Sequence, residues 1–219
     1  MKNIDTYKVA IFDCDGVILD SNKIKSEAFG LALRGEDPDL VKQFIEYHQQ
    51  NGGISRYIKF EYFFKNIKKQ LNYDKSLAEA LRLYGKLSKE GLLECSEIPG
   101  VRRILTHLNS LKIPCYVASG GDQAELRDIF GIRNLTVYFD GIFGSPLSKI
   151  ENLAKINNEK CLTIPGVYFG DAHSDMQAAK KYGLDFVYIT GASEWESGPL
   201  VCYKMNFPSY ADFNGFYRK

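Results

Sequence analysis

Two aspartates follow a short apolar run near the start of the sequence, where Val9–Phe12 leads into Asp13, Cys14, Asp15 and Gly16. Such a run predicts a strand buried on both faces, as in parallel sheets. The end of this strand would place both carboxylates at the carboxyl edge of the sheet, where open α/β folds bind ligands. Two carboxylates this close repel unless a divalent cation neutralises them or one is protonated. Taken alone, the motif also fits an ordinary Asp-Gly turn.

Three later stretches also place polar residues directly after a predicted strand. They contain Ser119-Gly120-Gly121, then Lys149, then Asp171 and Asp175. A small hydroxyl and two glycines at a strand-to-helix turn suit phosphate oxygens, and paired carboxylates suit Mg²⁺. Each stretch also has a structural interpretation: a turn, an exposed lysine, or a charged helix start. Their shared position at strand ends favours one joint site.

Alternating helices and strands predict the sheet that holds these residues. After the first strand, we expect strands at about 114–118, 136–143, 167–170 and 185–190, and helices at 101–111, 123–130 and 175–182. This alternation is typical of a parallel sheet with right-handed crossovers. The tail from residue 191 onward has no regular pattern, and we expect Trp195 there to be a packing residue.

A helical block is predicted between the first two strands. Ser21 or Asn22 should cap its first helix, a second should end at 51–53, a third should span 54–71, and a fourth should lead to Glu94. The aromatic stripe in this block predicts a bundle core. The apolar face of the first helix is expected to contain Ile24, Ala28, Leu31 and Ala32, and the partly exposed helix residues should include His48 and His107.

Composition limits the classes of function. The 219 residues are 45% hydrophobic and 25% charged, with a formal net charge of +1, so we expect neither nucleic acid nor membrane partners. No apolar run approaches a membrane span, and the first residues lack the apolar core of a signal peptide. Five scattered cysteines favour reduced thiols and a cytoplasmic location.

The four stretches, in this order, resemble the signature motifs of the haloacid dehalogenase superfamily of phosphohydrolases. The resemblance extends from about Val9 to Ile189. It implies an α/β fold: a Rossmann-like parallel sheet core with helices on both faces and an inserted all-helical cap domain. The core would be residues 1–19 and 96–219, and the cap residues 20–95. The helical block is similar to the cap of the phosphoglycolate phosphatase and β-phosphoglucomutase branch.

The resemblance also implies roles for individual residues. Asp13 would be the nucleophile and Asp15 the acid/base, assisted by Ser119 and Lys149. Mg²⁺ is the implied cofactor, bound by Asp13, the backbone carbonyl of Asp15, and Asp171. Asp175 would either ligate Mg²⁺ directly or hold a metal-bound water, and we favour the second role. The implied phosphate-binding residues are Ser119, Gly120, Gly121 and Lys149.

The loop before the third cap helix is the predicted selector of substrate, because caps of this kind close over the substrate. Its candidate residues are Gly52, Gly53, Ser55 and Arg56. The glycines allow close approach, and the Arg56 guanidinium suits a carboxylate, hydroxyl or second phosphate. A charge on the cap surface is the alternative for Arg56.

The predicted function is a Mg²⁺-dependent phosphatase that hydrolyses a small phosphorylated metabolite, such as a sugar or sugar-acid phosphate, through an aspartyl-phosphate. By the same resemblance, Asp15 favours phosphate ester hydrolysis or phosphoryl transfer, because dehalogenases of the family lack this aspartate pair as a metal site and phosphonate-cleaving relatives lack the carboxylate at this position. Two alternatives stay open: a phosphomutase of the β-phosphoglucomutase type, and a non-catalytic binding protein on a phosphatase scaffold.

Overall fold

The computed structural model describes residues 3–160 and 162–217, and a six-stranded sheet forms its centre. The sheet order is β3-β2-β1-β4-β5-β6, and all of its pairings are parallel. In a doubly wound sheet of this order, ligands bind beside the first strand. The strands are β1 (Val9–Phe12), β2 (Cys115–Asp122), β3 (Gly141–Ser145), β4 (Gly166–Gly170), β5 (Asp185–Ile189) and β6 (Ser209–Tyr210).

The helices fall into two groups along the chain. Between β1 and the next helix–strand unit lie α1 (Asn22–Ala32), α2 (Pro38–Gln50), α3 (Arg56–Tyr62) and α4 (Asp74–Glu94). The sheet unit contributes α5 (Val101–Ser110), α6 (Gln123–Ile132), α7 (Lys149–Lys160), α8 (His173–Lys181) and α9 (Gly198–Lys204). Within the described part of the chain, no helix is both long and apolar enough to cross a membrane.

Strand β1 divides the core into two apolar clusters. Ala10 and Phe12 belong to one cluster and Val9 and Ile11 to the other, because successive side chains of a strand point to opposite faces. All four side chains are buried. Helices therefore cover both faces of the sheet, which confirms the predicted α/β architecture.

The helical insertion has its own aromatic core. The rings of Phe29, Phe60 and Phe63 surround the ring of Phe44, with centroid distances of 5.5, 5.6 and 5.3 Å. Phe44 itself is 0% exposed. The aromatic stripe is therefore a bundle core, as the sequence indicated.

The buried face of α1 differs from the predicted one. Lys25 and Ser26 are buried together with Ala28, whereas Leu31 is 50% exposed. Ser21 precedes the helix, but its hydroxyl donates to Asp15 instead of capping the helix. Apolar periodicity placed Ala28 correctly on the inward side and Leu31 wrongly, and it did not detect the buried polar residues Lys25 and Ser26.

Several element boundaries also differ. The third cap helix ends at Tyr62 and continues as a π-helical turn, Phe63–Ile67. The expected 136–143 strand is a 3-10 turn, Thr136–Tyr138, followed by β3. Helix α8 begins at His173, and the tail described as irregular contains α9 and β6. The tail prediction was wrong because its helix and strand are too short for a periodic pattern to be visible.

We predict that Phe44→Ala lowers the free energy of unfolding by about 3–5 kcal/mol, because it removes a buried ring and leaves a cavity. Leu71→Ala is the matched control, since Leu71 lies in the same insertion and is 94% exposed. Urea denaturation followed by circular dichroism gives both values. Equal losses in the two variants would contradict the aromatic core.

Candidate active site

Asp13 directly follows β1 and is 3% exposed. Its Oδ1 accepts a hydrogen bond from the Cys14 amide at 2.7 Å, and its Oδ2 accepts one from Lys149 Nζ at 2.7 Å. Burial raises the pKa of Asp13 to about 7, against the lowering effect of Lys149. Nucleophilic attack requires the ionised form of Asp13, and positive charge nearby stabilises that form.

Lys149 begins α7 and is buried between two carboxylates. Its Nζ lies 2.7 Å from Asp13 Oδ2 and 2.6 Å from Asp175 Oδ1. Burial alone would lower the pKa of Lys149, but Asp13 and Asp175 raise it above its usual value. The alternative of a solvated surface lysine is excluded by this position.

Three buried carboxylates meet at this edge of the sheet. Asp13, Asp171 and Asp175 each offer one oxygen, and these atoms lie within 4.8 Å of one another. Burial, together with the charges of Asp13 and Asp175, raises the pKa of Asp171 well above its usual range. Lys149 cannot balance three buried negative charges, and carboxylate oxygens are ligands that Mg²⁺ prefers. The group fits a divalent cation.

Asp171 and Asp175 differ in how their oxygens are used. Asp175 Oδ1 accepts from Lys149, and its Oδ2 accepts from the amides of Ala172 at 3.0 Å and Asp171 at 3.3 Å. Asp171 Oδ2 accepts from Asn22 Nδ2 at 2.6 Å, which leaves Oδ1 for a ligand. The geometry favours Asp171 as a direct ligand and Asp175 as a supporting residue.

The side chain of Asp15 lies outside this group of three and is held by the start of the insertion. Its Oδ1 accepts from Ser21 Oγ at 2.6 Å, and its Oδ2 accepts from Lys25 Nζ at 2.6 Å. Burial alone would raise the pKa of Asp15, but Lys25 and both hydrogen bonds lower it. Asp15 is therefore held as a carboxylate.

Residues 119–121 form an irregular end of β2. The pairing register of β2 with β3 shifts between Ala118 and Asp122. Ser119 is buried, and its Oγ accepts a hydrogen bond from the Gly121 amide at 3.1 Å. Gly120 and Gly121 line a cavity above Asp13. The predicted phosphate-binding turn is thus brought beside Asp13, with Ser119 behind the two glycines.

The cavity lies between the carboxyl ends of the strands and the helical insertion, and its volume is about 60 Å³. Its walls come from the strand ends, the insertion and the loop after β5. They include Asp13, Asp15, Gly53, Lys59, Gly120 and Glu194.

The loop glycines of the insertion lie directly on the predicted phosphate site. Gly52 O accepts a hydrogen bond from Ser174 Oγ at 3.0 Å. Gly53 has a φ of +75°, and a Cβ there would clash with Ser174 and with the Lys149 ammonium. A Cβ on Gly120 would clash with Gly53 O. Glycine is therefore required at both contact points.

Ser55 and Arg56 have partners of their own. Ser55 Oγ accepts from the Tyr57 amide at 3.2 Å and caps α3. Arg56 lines the cavity and is 7% exposed, but its terminal nitrogens donate to Glu125 at 2.9 and 2.6 Å. The guanidinium also lies 4.6 Å from the Tyr84 ring centroid. The surface-charge interpretation is therefore excluded, and Arg56 links the insertion to α6.

Sequence reasoning missed Asn22, Lys25 and Glu194, which all line the cavity. Asn22 and Lys25 are three residues apart, so they share one face of α1, and this spacing was a usable signal. Glu194 lies in a loop without a periodic pattern, so no signal for it was present in the sequence. His48 was expected to be partly exposed, but it is 8% exposed and bonded to Ser26 and Lys59.

A doubly wound sheet, a helical cap and buried carboxylates with a lysine at the edge of the sheet define a capped hydrolase. The model of the haloacid dehalogenase-like hydrolase family matches residues 10–189, and the chain belongs to that family. It is an enzyme of the phosphatase kind.

The chain is also similar to individual phosphatases and to a phosphomutase. A "Phosphorylated carbohydrates phosphatase" of Thermotoga maritima is 24% identical over 83% of this chain and 84% of its own length. A β-phosphoglucomutase from Clostridium difficile superposes with a TM-score of 0.73 at 16% identity, over 96% of this chain and 93% of the other. A predicted phosphoglycolate phosphatase from Haemophilus somnus gives 0.72 at 16% identity, over 94% and 95%. These two structures share the fold.

We predict that Glu125→Gln lowers the free energy of unfolding by about 3–5 kcal/mol, because it leaves the buried Arg56 without its carboxylate. Glu79→Gln is the matched control: Glu79 forms a similar two-bond pair with Arg82, but that pair is exposed, at 61% and 66%. The control should leave stability almost unchanged. Similar thermal denaturation of the two variants would show that the Arg56–Glu125 pair does not tie the insertion to the core.

Proposed function

We propose that this protein is a cytoplasmic, Mg²⁺-dependent phosphatase of a small phosphorylated metabolite, such as a sugar or sugar-acid phosphate. The observation that carries this proposal is the buried Asp13, held by Lys149 beside Asp171 at the cavity between the sheet edge and the insertion. Similarity to a phosphatase of phosphorylated carbohydrates supports the substrate class. Free cysteines support the compartment: Cys14, Cys95, Cys115 and Cys202.

Asp13 is the proposed nucleophile. Its carboxylate attacks phosphorus in line with the leaving oxygen, and the P–O bond to the alcohol breaks to give an aspartyl-phosphate. Lys149 holds the Asp13 carboxylate and neutralises the transferring group. Gly120 and Gly121 bind phosphoryl oxygens, and Ser119 supports this turn by accepting from the Gly121 amide. Mg²⁺, when held by Asp13, the Asp15 carbonyl and Asp171 with Asp175 in support, supplies positive charge that keeps Asp13 ionised.

Asp15 is the proposed acid and base. Lys25 and Ser21 hold it as a carboxylate, the form that removes a proton from the water attacking the aspartyl-phosphate. The negative phosphoryl group of the substrate raises the pKa of Asp15 by charge repulsion, so that it carries the proton for the leaving alcohol. One residue can therefore serve both half-reactions.

The insertion is the proposed cap, comprising residues 20–95, over a core of residues 1–19 and 96–219. Its separate aromatic core supports this division. Gly52, Gly53, Ser55 and Arg56 are proposed to select the substrate through the shape of the closed loop. Since Glu125 occupies both terminal nitrogens of Arg56, we assign Arg56 to closure of the cap more than to direct substrate contact.

A phosphomutase is the second candidate, favoured by the fold that this chain shares with the Clostridium difficile β-phosphoglucomutase, at a TM-score of 0.73. Product analysis separates the two functions. With β-glucose 1-phosphate, a phosphatase releases inorganic phosphate, whereas a mutase yields glucose 6-phosphate.

We predict that Asp13→Asn abolishes the release of phosphate from p-nitrophenyl phosphate, because an amide is a poor nucleophile. Asp15→Asn should lower kcat on alkyl phosphates by a factor of roughly 100 to 10,000. Its effect on p-nitrophenyl phosphate should be much smaller, because that leaving group needs little protonation. An equal loss on both esters would contradict the acid role of Asp15, and appreciable activity of Asp13→Asn would exclude it as the nucleophile.

We predict that a chelator stops turnover and that added Mg²⁺ restores it. Asp171→Ala should raise the Mg²⁺ concentration for half-maximal activity, while KM at saturating Mg²⁺ changes little. Asp175→Asn should have a smaller effect on that concentration, because both Asp175 oxygens already have protein partners. Full activity in the presence of chelator would refute the metal assignment.

A further inference from the structure

Lys59 is a buried lysine at the cavity to which the mechanism above assigns no task. It is 2% exposed, and its Nζ lies 2.7 Å from His48 Nδ1 and 3.3 Å from His48 O. The other cationic side chains that the insertion brings to this cavity, Lys25 and Arg56, form ion pairs with Asp15 and Glu125. Lys59 has no carboxylate partner of this kind among residues 3–160 and 162–217.

A chain of hydrogen bonds links Lys59 to the core. Glu194 Oε2 accepts from Ser26 Oγ at 2.8 Å, and Ser26 Oγ lies 2.9 Å from His48 Nε2. A serine hydroxyl has one proton, so His48 Nε2 must donate to Ser26. Burial and the charge of Lys59 keep the pKa of His48 well below its usual value, so His48 is neutral and its Nδ1 accepts from Lys59.

The chain therefore has one direction, from the Lys59 ammonium to the Glu194 carboxylate. Because Glu194 lies in the loop after β5 and Ser26 and His48 lie in the insertion, the chain forms only when the insertion meets the core. The chain fixes the position of Lys59 Nζ. Two of the N–H donors of this group are used, one towards His48 Nδ1 and one towards His48 O. An ammonium group has a third N–H donor, which remains for a ligand in the cavity.

The surroundings of Lys59 favour an anion as that ligand. A buried charge is stable when it is paired. Burial and repulsion by Lys25 and Lys149 lower the pKa of Lys59 to about 7. A negative group placed beside Nζ would offset both effects, whereas a neutral hydroxyl would offset neither.

We propose that Lys59 is a specificity-determining residue that binds an anionic group, a carboxylate or a second phosphate, on the organic part of the substrate. Ser26, His48 and Glu194 are positioning residues that orient Lys59 in the closed cavity. This inference rests on the proposed function, which places the reacting phosphoryl group at Asp13.

Matched pairs of phosphate esters test the proposal. 3-Phosphoglycerate and glycerol 3-phosphate differ in a carboxylate against a hydroxymethyl group, and fructose 1,6-bisphosphate and fructose 6-phosphate differ in the second phosphate. For at least one pair, the enzyme should show a kcat/KM at least tenfold higher for the more acidic member. The pair that shows this preference identifies the group that Lys59 binds, a carboxylate or a second phosphate.

Lys59→Met keeps the length and packing of the side chain and removes its charge. It should abolish the preference for the acidic ester and change kcat/KM for the neutral ester and for p-nitrophenyl phosphate less than threefold. Lys59→Arg should restore part of the preference. Lys65→Met is the matched control, because Lys65 is an exposed lysine of the same insertion, and it should behave as the unmodified enzyme.

Glu194→Gln tests the positioning chain. It should raise KM for the acidic ester and leave kcat almost unchanged, because Lys59 keeps its charge but loses its fixed orientation. A residue that only stabilised the fold would alter both esters alike. A Glu194→Gln variant with an unchanged KM for the acidic ester would overturn the positioning role.

Binding separates a failure of this inference from a failure of the proposed function. Calorimetric titration of the Asp13→Asn protein with 3-phosphoglycerate and glycerol 3-phosphate, and with the two fructose phosphates, gives the same comparison without turnover. Tighter binding of an acidic member that disappears with Lys59→Met supports the inference even if no ester is hydrolysed. Equal affinities within both pairs, or an equal loss for both members in Lys59→Met, would overturn it.

Discussion

The structure depends on the burial of three carboxylates beside a single lysine at the carboxyl end of β1. Asp13, Asp171 and Asp175 are held within 4.8 Å of one another, and Lys149 pairs with two of them. Water cannot screen these charges, so they need amide donors, a cation and a close cover. The turn before α8 supplies the amides, the set is suited to Mg²⁺, and the Gly53 loop supplies the cover.

Polar contacts join the cover to the core around the cavity. The insertion keeps its aromatic side chains in a separate cluster, while Arg56–Glu125 and Ser26–Glu194 join it to the core. Tyr57 also donates to Asp122 at 2.8 Å. Polar interfaces between domains are easier to open than apolar ones, since water can replace the partners. Such an interface suits a cap that must admit a substrate and then exclude water.

The sequence predicted the parts of the molecule that follow simple patterns. The apolar β1 strand, the strand-end positions of Asp13, Ser119, Lys149 and Asp171, and the aromatic core of the insertion all emerged from burial patterns and topology. The contacts of Arg56 did not, because Glu125 lies 69 residues away and nothing local indicates their pairing. The inner face of α1 was predicted only in part for the same reason: Lys25 is buried because it pairs with Asp15, and hydrophobic periodicity cannot detect such a pairing.

Helix α1 of the insertion donates hydrogen bonds to three carboxylates of the core. Asn22, Lys25 and Ser26 lie at the i, i+3 and i+4 positions of one helical face, and each donates to a different core carboxylate: Asp171, Asp15 and Glu194. Asp171 belongs to the proposed metal group, Asp15 is the proposed acid/base residue, and Glu194 is the last acceptor of the hydrogen-bond chain from Lys59. A shift of α1 would therefore disturb all three together. On this geometry, closure of the proposed cap would also assemble the proposed catalytic groups.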